Sequence, residues 1–322
     1  MPNKSNDRLC IILNPKAGAG AAGKQVNQLR QHASSFFMHF EIWETTHPSH
    51  ATELAQIACE KNFDIVAAFG GDGTCHEIIN GMLYADQPRN PQTRFGLLPF
   101  GTGSDLRRTL QIPKHLPQAL ELLATTEPTL HDVGKCTLIN KPVPPQYFIN
   151  VAGFGANGEV ARKANKRSKK LGGKATFFGA ALQTVFDYSP RRVKLRWTNE
   201  EEQGEWEGEM LSCFFSNASY CGGGMHVGIH SSMHDGLAEV TVLPKMTITR
   251  QLMEIRKLYN GKIDTIPNVF RCSPSMLEAT TTVGSEVLIE LDGELFGELP
   301  ASFVILKDVL YVHCNRNPTN SH

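Results

Sequence analysis

Phe69-Gly70-Gly71-Asp72-Gly73-Thr74 is the stretch on which the fold is read. The run Asp64-Ile65-Val66-Ala67-Ala68 leads into it, and Cys75-His76-Glu77-Ile78-Ile79-Asn80-Gly81-Met82-Leu83 follows. A short apolar run suits a parallel strand buried on both faces, whereas Ile78, Ile79, Met82 and Leu83 recur at helical spacing. The order is therefore strand, glycine turn, helix, with the turn at the carboxyl end of a strand. Three glycines let backbone N–H groups approach an anion, and the helix N-terminus behind them favours negative charge. Asp72 would repel a bare phosphate, which points to a cation between the two, as when Mg²⁺ lies beside phosphoryl oxygens. The plainer reading is a tight strand-to-helix turn with a capping aspartate.

Toward the N-terminus, Leu9–Leu13 reads as another buried strand, followed by the loop and helix start Asn14-Pro15-Lys16-Ala17-Gly18-Ala19-Gly20-Ala21-Ala22-Gly23-Lys24. Gln25 stands where a Walker A loop needs Ser or Thr to hold Mg²⁺. Gly18, Gly20 and Gly23 fit a Rossmann fingerprint by letter, but only Glu44, after the strand Phe40–Glu44, offers the acid that a dinucleotide requires. A helix over about 51–61 precedes the Asp72 strand, and Arg94–Phe100 forms a fourth strand that delivers Gly101-Thr102-Gly103-Ser104-Asp105. A helix near 116–125 ends before Pro128. Alternation of this kind predicts a parallel sheet covered by helices, with ligands at the carboxyl ends of its strands.

Beyond about residue 130 the pattern changes to strands: Tyr147–Ala152, Val193–Thr198, Met210–Ala218, Leu237–Leu243, Met276–Thr282, Val287–Leu291 and Phe303–His313. Alternation as in Leu237-Ala238-Glu239-Val240-Thr241-Val242 fits a β-sandwich. The expected domains are 1–130 (α/β, nucleotide-binding) and 131–322 (β-sandwich), with the last strands returning to the first. A helical insert at about 157–187 carries Arg162, Lys163, Lys166, Arg167, Lys169, Lys170 and Lys174. It reads either as an attachment to an anionic membrane surface or as a solvated helix face.

A net charge of zero over 322 residues gives no reason to expect nucleic-acid binding. No run approaches the roughly 18 apolar residues of a membrane span, and the polar start Met1–Arg8 carries no signal-peptide core, so the expectation is a cytoplasmic protein attached peripherally to membrane. The eight cysteines form no C-x-x-C pair and the histidines no zinc-like spacing, so no transition metal is expected. An edge strand allows a homodimer without selecting one.

Asp292-Gly293-Glu294 ends the strand Val287–Leu291 with carboxylates two apart. That suits an acid pair at a reacting hydroxyl, although Asp-Gly is equally a hairpin signal. Together with Asn14–Gly18, Gly70–Thr74, Pro99–Asp105 and Gly222-Gly223-Gly224-Met225 with Asp235-Gly236-Leu237, it completes five motifs in the order of a known family. From Leu9 to about His313 the chain resembles the diacylglycerol kinase catalytic-domain family, notably its bacterial lipid kinases, with sphingosine and ceramide kinases as relatives. The resemblance implies an ATP-binding α/β domain similar to that of NAD kinase and phosphofructokinase, a C-terminal β-sandwich and a lipid site between them. It assigns Asn14, Pro15, Lys16, Ala17, Gly18, Thr45, Gly70, Gly71, Asp72, Gly73, Thr74, Cys75, His76 and Thr102 to the nucleotide. Asp292 and Glu294 become the catalytic acids beside Asp72, with Asp292 the first choice for the base and Glu294 the second. Ser232 and Leu237 by carbonyl, and Asp235 by carboxylate, become a structural Mg²⁺ site. Ser104 stands where many members have Asn, and His76-Glu77 looks more like the sphingosine and ceramide kinases, which leaves the acceptor open. The expected activity is ATP- and Mg²⁺-dependent phosphorylation of a hydroxyl of diacylglycerol or a related lipid in a membrane. The alternatives are an NAD kinase and a non-catalytic nucleotide- or lipid-binding protein.

Overall fold

The computed structural model describes residues 4–100, 105–166, 179–180, 183–281 and 284–315. It divides into two compact units, the first running to His131 and resuming at Val309, the second spanning Asp132–Asp308.

In the first unit four parallel strands, β1 (Ser5–Leu13), β2 (Phe37–Glu44), β3 (Ile65–Gly70) and β4 (Arg94–Pro99), lie in the order β4-β3-β1-β2. The helices between and after them are α1 (Val26–Phe36), α2 (His50–Glu60), α3 (Asp72–Met82), α4 (Asp105–Thr109) and α5 (Leu116–Thr125). Every residue of β3 is buried, as is every residue of β1 from Leu9 onward, which is why these strands read as unbroken apolar runs. The register pairs Leu13 with Glu44 and with Phe69, and Gly70 with Pro99. Four strand ends are thus level, and the loops that follow them share one edge. The chain leaves β1 for a neighbour on one side and later places β3 on the other, so the order reverses between β1 and β3, where α/β sheets open a crevice.

The second unit is antiparallel. Its strands are β5 (Val151–Gly155), β6 (Arg191–Thr198), β7 (Gln203–Ser216), β8 (Glu239–Pro244), β9 (Phe270–Cys272), β10 (Met276–Thr281), β11 (Leu288–Leu291), β12 (Glu294–Glu298) and β13 (Ala301–Val312). Helix α6 (Ala156–Lys166) follows β5, and α7 (Ile248–Tyr259) follows β8. Strand β7 serves two partners. Its first half alternates exposed and half-buried residues along β6, and its second half, buried throughout from Met210, lies between β5 and β8. The core of this sandwich is aromatic: Phe303 stacks on Phe154 at 5.5 Å and tilts against Phe215 at 5.6 Å, and Phe215 meets Phe148 edge-on at 6.1 Å.

Two differences from the sequence expectation have physical causes. The strand expected over Tyr147–Ala152 is broken into Gln146–Phe148 and β5, because the N–H groups of Ile149, Asn150 and Val151 turn to the Asp292 carboxylate instead of a ladder. Helix α7 occupies a stretch for which no helix was expected, its start capped by Thr247 Oγ1, which accepts from Arg250 N–H. Strand β13 ends in the first unit, where Val312 pairs with Phe95 of β4.

Candidate active site

The level strand ends of the first unit are laced together by their own backbone and short side chains. Asn14 N–H donates to the Phe69 carbonyl at 3.2 Å, and Asn14 Oδ1 accepts from Lys16 N–H at 3.0 Å. Asn14 Nδ2 reaches Thr74 Oγ1 at 3.4 Å, joining the first glycine loop to the second across the point where strand order reverses. Phe100 N–H donates to the Gly70 carbonyl, and its ring stacks on Phe69 at 4.9 Å, joining the second loop to the third. A side chain at Gly18, whose φ is +59°, would strike the Phe100 ring at 2.9 Å. Thr45 N–H donates to the Leu13 carbonyl at 2.9 Å, which brings the fourth strand end into the row. Pro15 and Ala17 follow β1; Gly73 lies in the first turn of α3, and Cys75 and His76 are buried just beyond it. Thr102, with Gly101, Gly103 and Ser104, lies outside the described residues.

Asp72 binds protein donors: its Oδ2 accepts from Asp105 N–H at 3.2 Å and its Oδ1 from Leu106 N–H at 3.3 Å. The capping role read as the plainer alternative is real, but it is played toward the helix that follows β4 rather than toward Asp72's own helix. Glu77 does the same for α2, accepting from Ser49 N–H at 3.0 Å and Ala51 N–H at 3.1 Å. A methyl group at Gly71 would meet none of the described residues within 4 Å, so among them the backbone there faces open space of the kind a phosphate fills. The residues therefore fit a phosphate-bearing nucleotide.

In the second unit, Asp292 (φ +52°) and Gly293 (φ +89°) form the two-residue turn between β11 and β12, with Leu291 opposite Glu294. The hairpin reading of Asp-Gly is thus correct in geometry, yet the aspartate has a further job. Its Oδ1 accepts from Asn150 N–H at 2.9 Å and Val151 N–H at 3.2 Å, and its Oδ2 from Ile149 N–H at 3.1 Å. Three of the roughly four lone-pair positions of the carboxylate face backbone donors. Glu294 opens β12, half-buried.

Sequence reasoning missed the carboxyl beneath this turn. Glu290 is buried, its Oε2 accepts from Gly293 N–H at 2.7 Å, and its Oε1 occupies the place where a Cβ on Gly153, its register partner, would come within 2.5 Å. Burial, with the charges of Asp292 and Glu294 adding to it, pushes its pKa up to about 8. An acid in the strand pattern Leu288-Ile289-Glu290-Leu291 looks like a solvent-facing residue, and only the glycine opposite betrays an interior one.

The turn Ser232–Leu237 is closed by Asp235 Oδ1, which accepts from Leu237 N–H at 2.9 Å, and by Ser232 Oγ, which accepts from His234 N–H at 3.2 Å. Beneath it the buried Asp132 accepts from Gly236 N–H at 2.7 Å and Asp308 N–H at 2.8 Å, a second residue missed from sequence. Partial burial first, and the Asp132 charge in support, raise the Asp235 pKa. The Asp235 carboxylate and the carbonyls of this turn are oxygen donors of the kind a hard cation takes.

His47, His50 and Glu53 come together after β2, their ligand-type atoms within 4.8 Å of one another. Histidine spacing had suggested no such group. His50 Nδ1 accepts from Thr46 N–H at 3.0 Å, which puts the proton of the neutral ring on Nε2, and the ring stacks on His47 at 4.4 Å. A metal would have to break that bond to gain a His50 lone pair.

Of the basic insert, the described part is partly neutralised: Arg162 pairs with Glu159 at 2.6 Å and Glu286 at 3.4 Å, and Lys163 with Asp187 at 2.9 Å. Arg167, Lys169, Lys170 and Lys174 lie outside the described residues, as does the side chain of Lys166. No described helix is long and apolar enough to cross a membrane.

Comparison with known proteins gives this geometry its class. Residues 8–136 match the diacylglycerol kinase catalytic domain, and residues 150–314 match the YegS C-terminal NAD kinase beta sandwich-like domain. The chain belongs to the diacylglycerol kinase catalytic-domain family, a family of kinases. A diacylglycerol kinase of Bacillus subtilis (strain 168) is 25% identical over 305 residues, 95% of either chain. A diacylglycerol kinase of Staphylococcus haemolyticus (strain JCSC1435) is 25% identical over 298 residues, 92% of this chain and 85% of its own. The crystal structure of a diacylglycerol kinase from Bacillus anthracis str. Sterne shares the fold, with a TM-score of 0.71 at 22% identity over 98% of this chain and 99% of the other.

Proposed function

We propose that the protein is an ATP- and Mg²⁺-dependent kinase that phosphorylates a hydroxyl of diacylglycerol or a closely related lipid, working at an anionic membrane surface. The observation that carries the nucleotide reading is the row of level strand ends, in which Asn14, Thr74 and Asp72 tie three loops into one preorganised backbone surface with open space over Gly71. Phosphoryl transfer asks for positioning and charge neutralisation above all, which rigid loops supply. The relatives named diacylglycerol kinase support the acceptor class.

Mg²⁺ would supply charge neutralisation on the phosphoryl oxygens. Asp72 is the carboxylate of the first unit suited to orient it, and Ser232, Asp235 and Leu237 would hold a structural ion in the second. The acceptor hydroxyl must lose its proton as its oxygen attacks the γ-phosphorus and the bond to ADP breaks. Asp292 is committed to three backbone donors, so it positions the turn. Glu294 takes the proton.

Transfer of labelled γ-phosphate to vesicles of a total lipid extract, with NAD as a parallel acceptor and the product read by mass spectrometry, tests the proposal. A phosphorylated lipid that requires ATP and Mg²⁺ is expected. Phosphorylation of NAD instead, or of nothing, overturns it.

A further inference from the structure

Helix α7 contains none of the residues assigned above. Its buried side is narrow: Gln251 is buried with Nε2 donating to the Met246 carbonyl, and Leu258 packs on a cluster that includes Leu243, Ile263 and Ile266. At 3.6 residues per turn, Ile248, Tyr259, Leu252 and Met253 fall on the remaining surface over an arc of about 140°. Their exposures are 43%, 40%, 39% and 65%. Isolated exposed apolar residues are ordinary. Here four of the eleven large ones among the described residues occupy one helix.

Charge follows the same plan. From Arg250 to Lys262 the chain carries four cations, Arg250, Arg256, Lys257 and Lys262, against the single acid Glu254. Glu254 is turned inward, its side chain only 13% exposed, and is engaged by Lys257 at 2.7 Å and Arg250 at 3.8 Å. Arg256 projects within the apolar arc itself. A long cationic stem can lie along acyl chains while its head stays among phosphates, and tyrosine prefers the same boundary. A second copy of this face would set Arg256 and Lys262 against their own kind, which disfavours self-association through it.

We propose that α7 is the surface by which the protein docks on an anionic lipid bilayer, lying in the interface with Ile248, Leu252, Met253 and Tyr259 toward the acyl chains and Arg256 and Lys262 on lipid phosphates. The inference rests on the proposed use of a bilayer-borne acceptor, and its test separates the two. The full chain is sedimented with vesicles of phosphatidylcholine alone and of phosphatidylcholine with phosphatidylglycerol. Leu252→Asp with Met253→Asp, and separately Arg256→Glu with Lys262→Glu, should each weaken binding to the anionic vesicles roughly tenfold or more, the scale of losing two interfacial groups. Because these side chains are exposed, the melting temperature and the phosphorylation of a short-chain diacylglycerol dispersed as monomers should not change. In Met253→Trp, emission at the new indole should be quenched by lipids with brominated acyl chains. Undiminished binding by both double variants, or an unquenched indole, overturns the inference. So does a wild-type dimer that the first double variant dissolves, since the face would then join two copies of the chain. Lipid phosphorylation with binding independent of α7 sinks this inference and leaves the proposed function intact. Docking through α7 without phosphorylation of any lipid does the reverse.

Discussion

Asp292 and Glu294 are two residues apart but have different surroundings, and their variants should fail differently. Asn at position 292 offers one carbonyl oxygen to three N–H groups and sets its own NH₂ against the rest, so Asp292→Asn should cost about 1–3 kcal/mol of stability, the penalty of unsatisfied donors. Activity should fall with the fold. Glu294→Gln should cut turnover by about 10²–10⁴, the range for general-base catalysis, by more than any loss of stability explains. Measuring melting curves beside lipid phosphorylation decides, and a Glu294→Gln enzyme with normal turnover would refute the assignment. Asp72→Ala frees two N–H groups at the start of α4, so weaker nucleotide affinity should come with lost stability of the first unit. Glu290 adds a pH signature. Its folded pKa of about 8 lies above the ordinary 4.5, so the stability it confers is complete below about pH 4.5 and drains away as pH rises to about 8. Glu290→Gln removes the titration, and its melting temperature should change less than the wild type's between about pH 6 and pH 9. Parallel slopes for the two proteins would show that Glu290 is not the group responsible.

At the scale of elements, what could be read in advance was what local pattern determines. Strands β1, β3 and β4 are buried runs bounded by glycine loops, so periodicity and turn chemistry located both the sheet and the edge where its glycine loops gather. Helix α7 escaped because it keeps only one residue fully buried and exposes much of its apolar surface, so no clean stripe marks it. The break between Phe148 and Val151 was illegible for a different reason: its cause, Asp292, lies 142 residues from Asn150. Distance in sequence also hid Asp132, whose donors are Gly236 and Asp308. Motifs named candidate residues; that Asp292 is consumed as a backbone acceptor depends on contacts that no spacing encodes.

Over the whole molecule, one buried group in each unit is shifted so as to respond to pH in the opposite sense to the other. His313, which ends β13's run into the first unit, is buried beside Thr126, and burial, aided by the Arg94 charge, holds its pKa down to about 4. A depressed histidine lends stability above its ordinary 6.5 that is lost as pH falls through about 4. The first unit should therefore weaken in acid and the second in alkali, and hydrogen exchange read separately over β3 and β7 at several pH values would reveal it. Identical responses in both strands would contradict this.

The return of β13 to the first unit also bears on biosynthesis. Phe95 waits for Val312 and His313, and the Leu110 carbonyl waits for Asn315 N–H, over 200 residues downstream. The domain that leaves the ribosome first thus lacks its closing strand until nearly the last of these residues has emerged. Until then the flank of β4 is an unpaired edge that a chaperone or a neighbouring nascent chain can occupy. A chain truncated and released just after Asp308 should hold a sandwich able to complete its own sheet and a first unit that is still protease-sensitive.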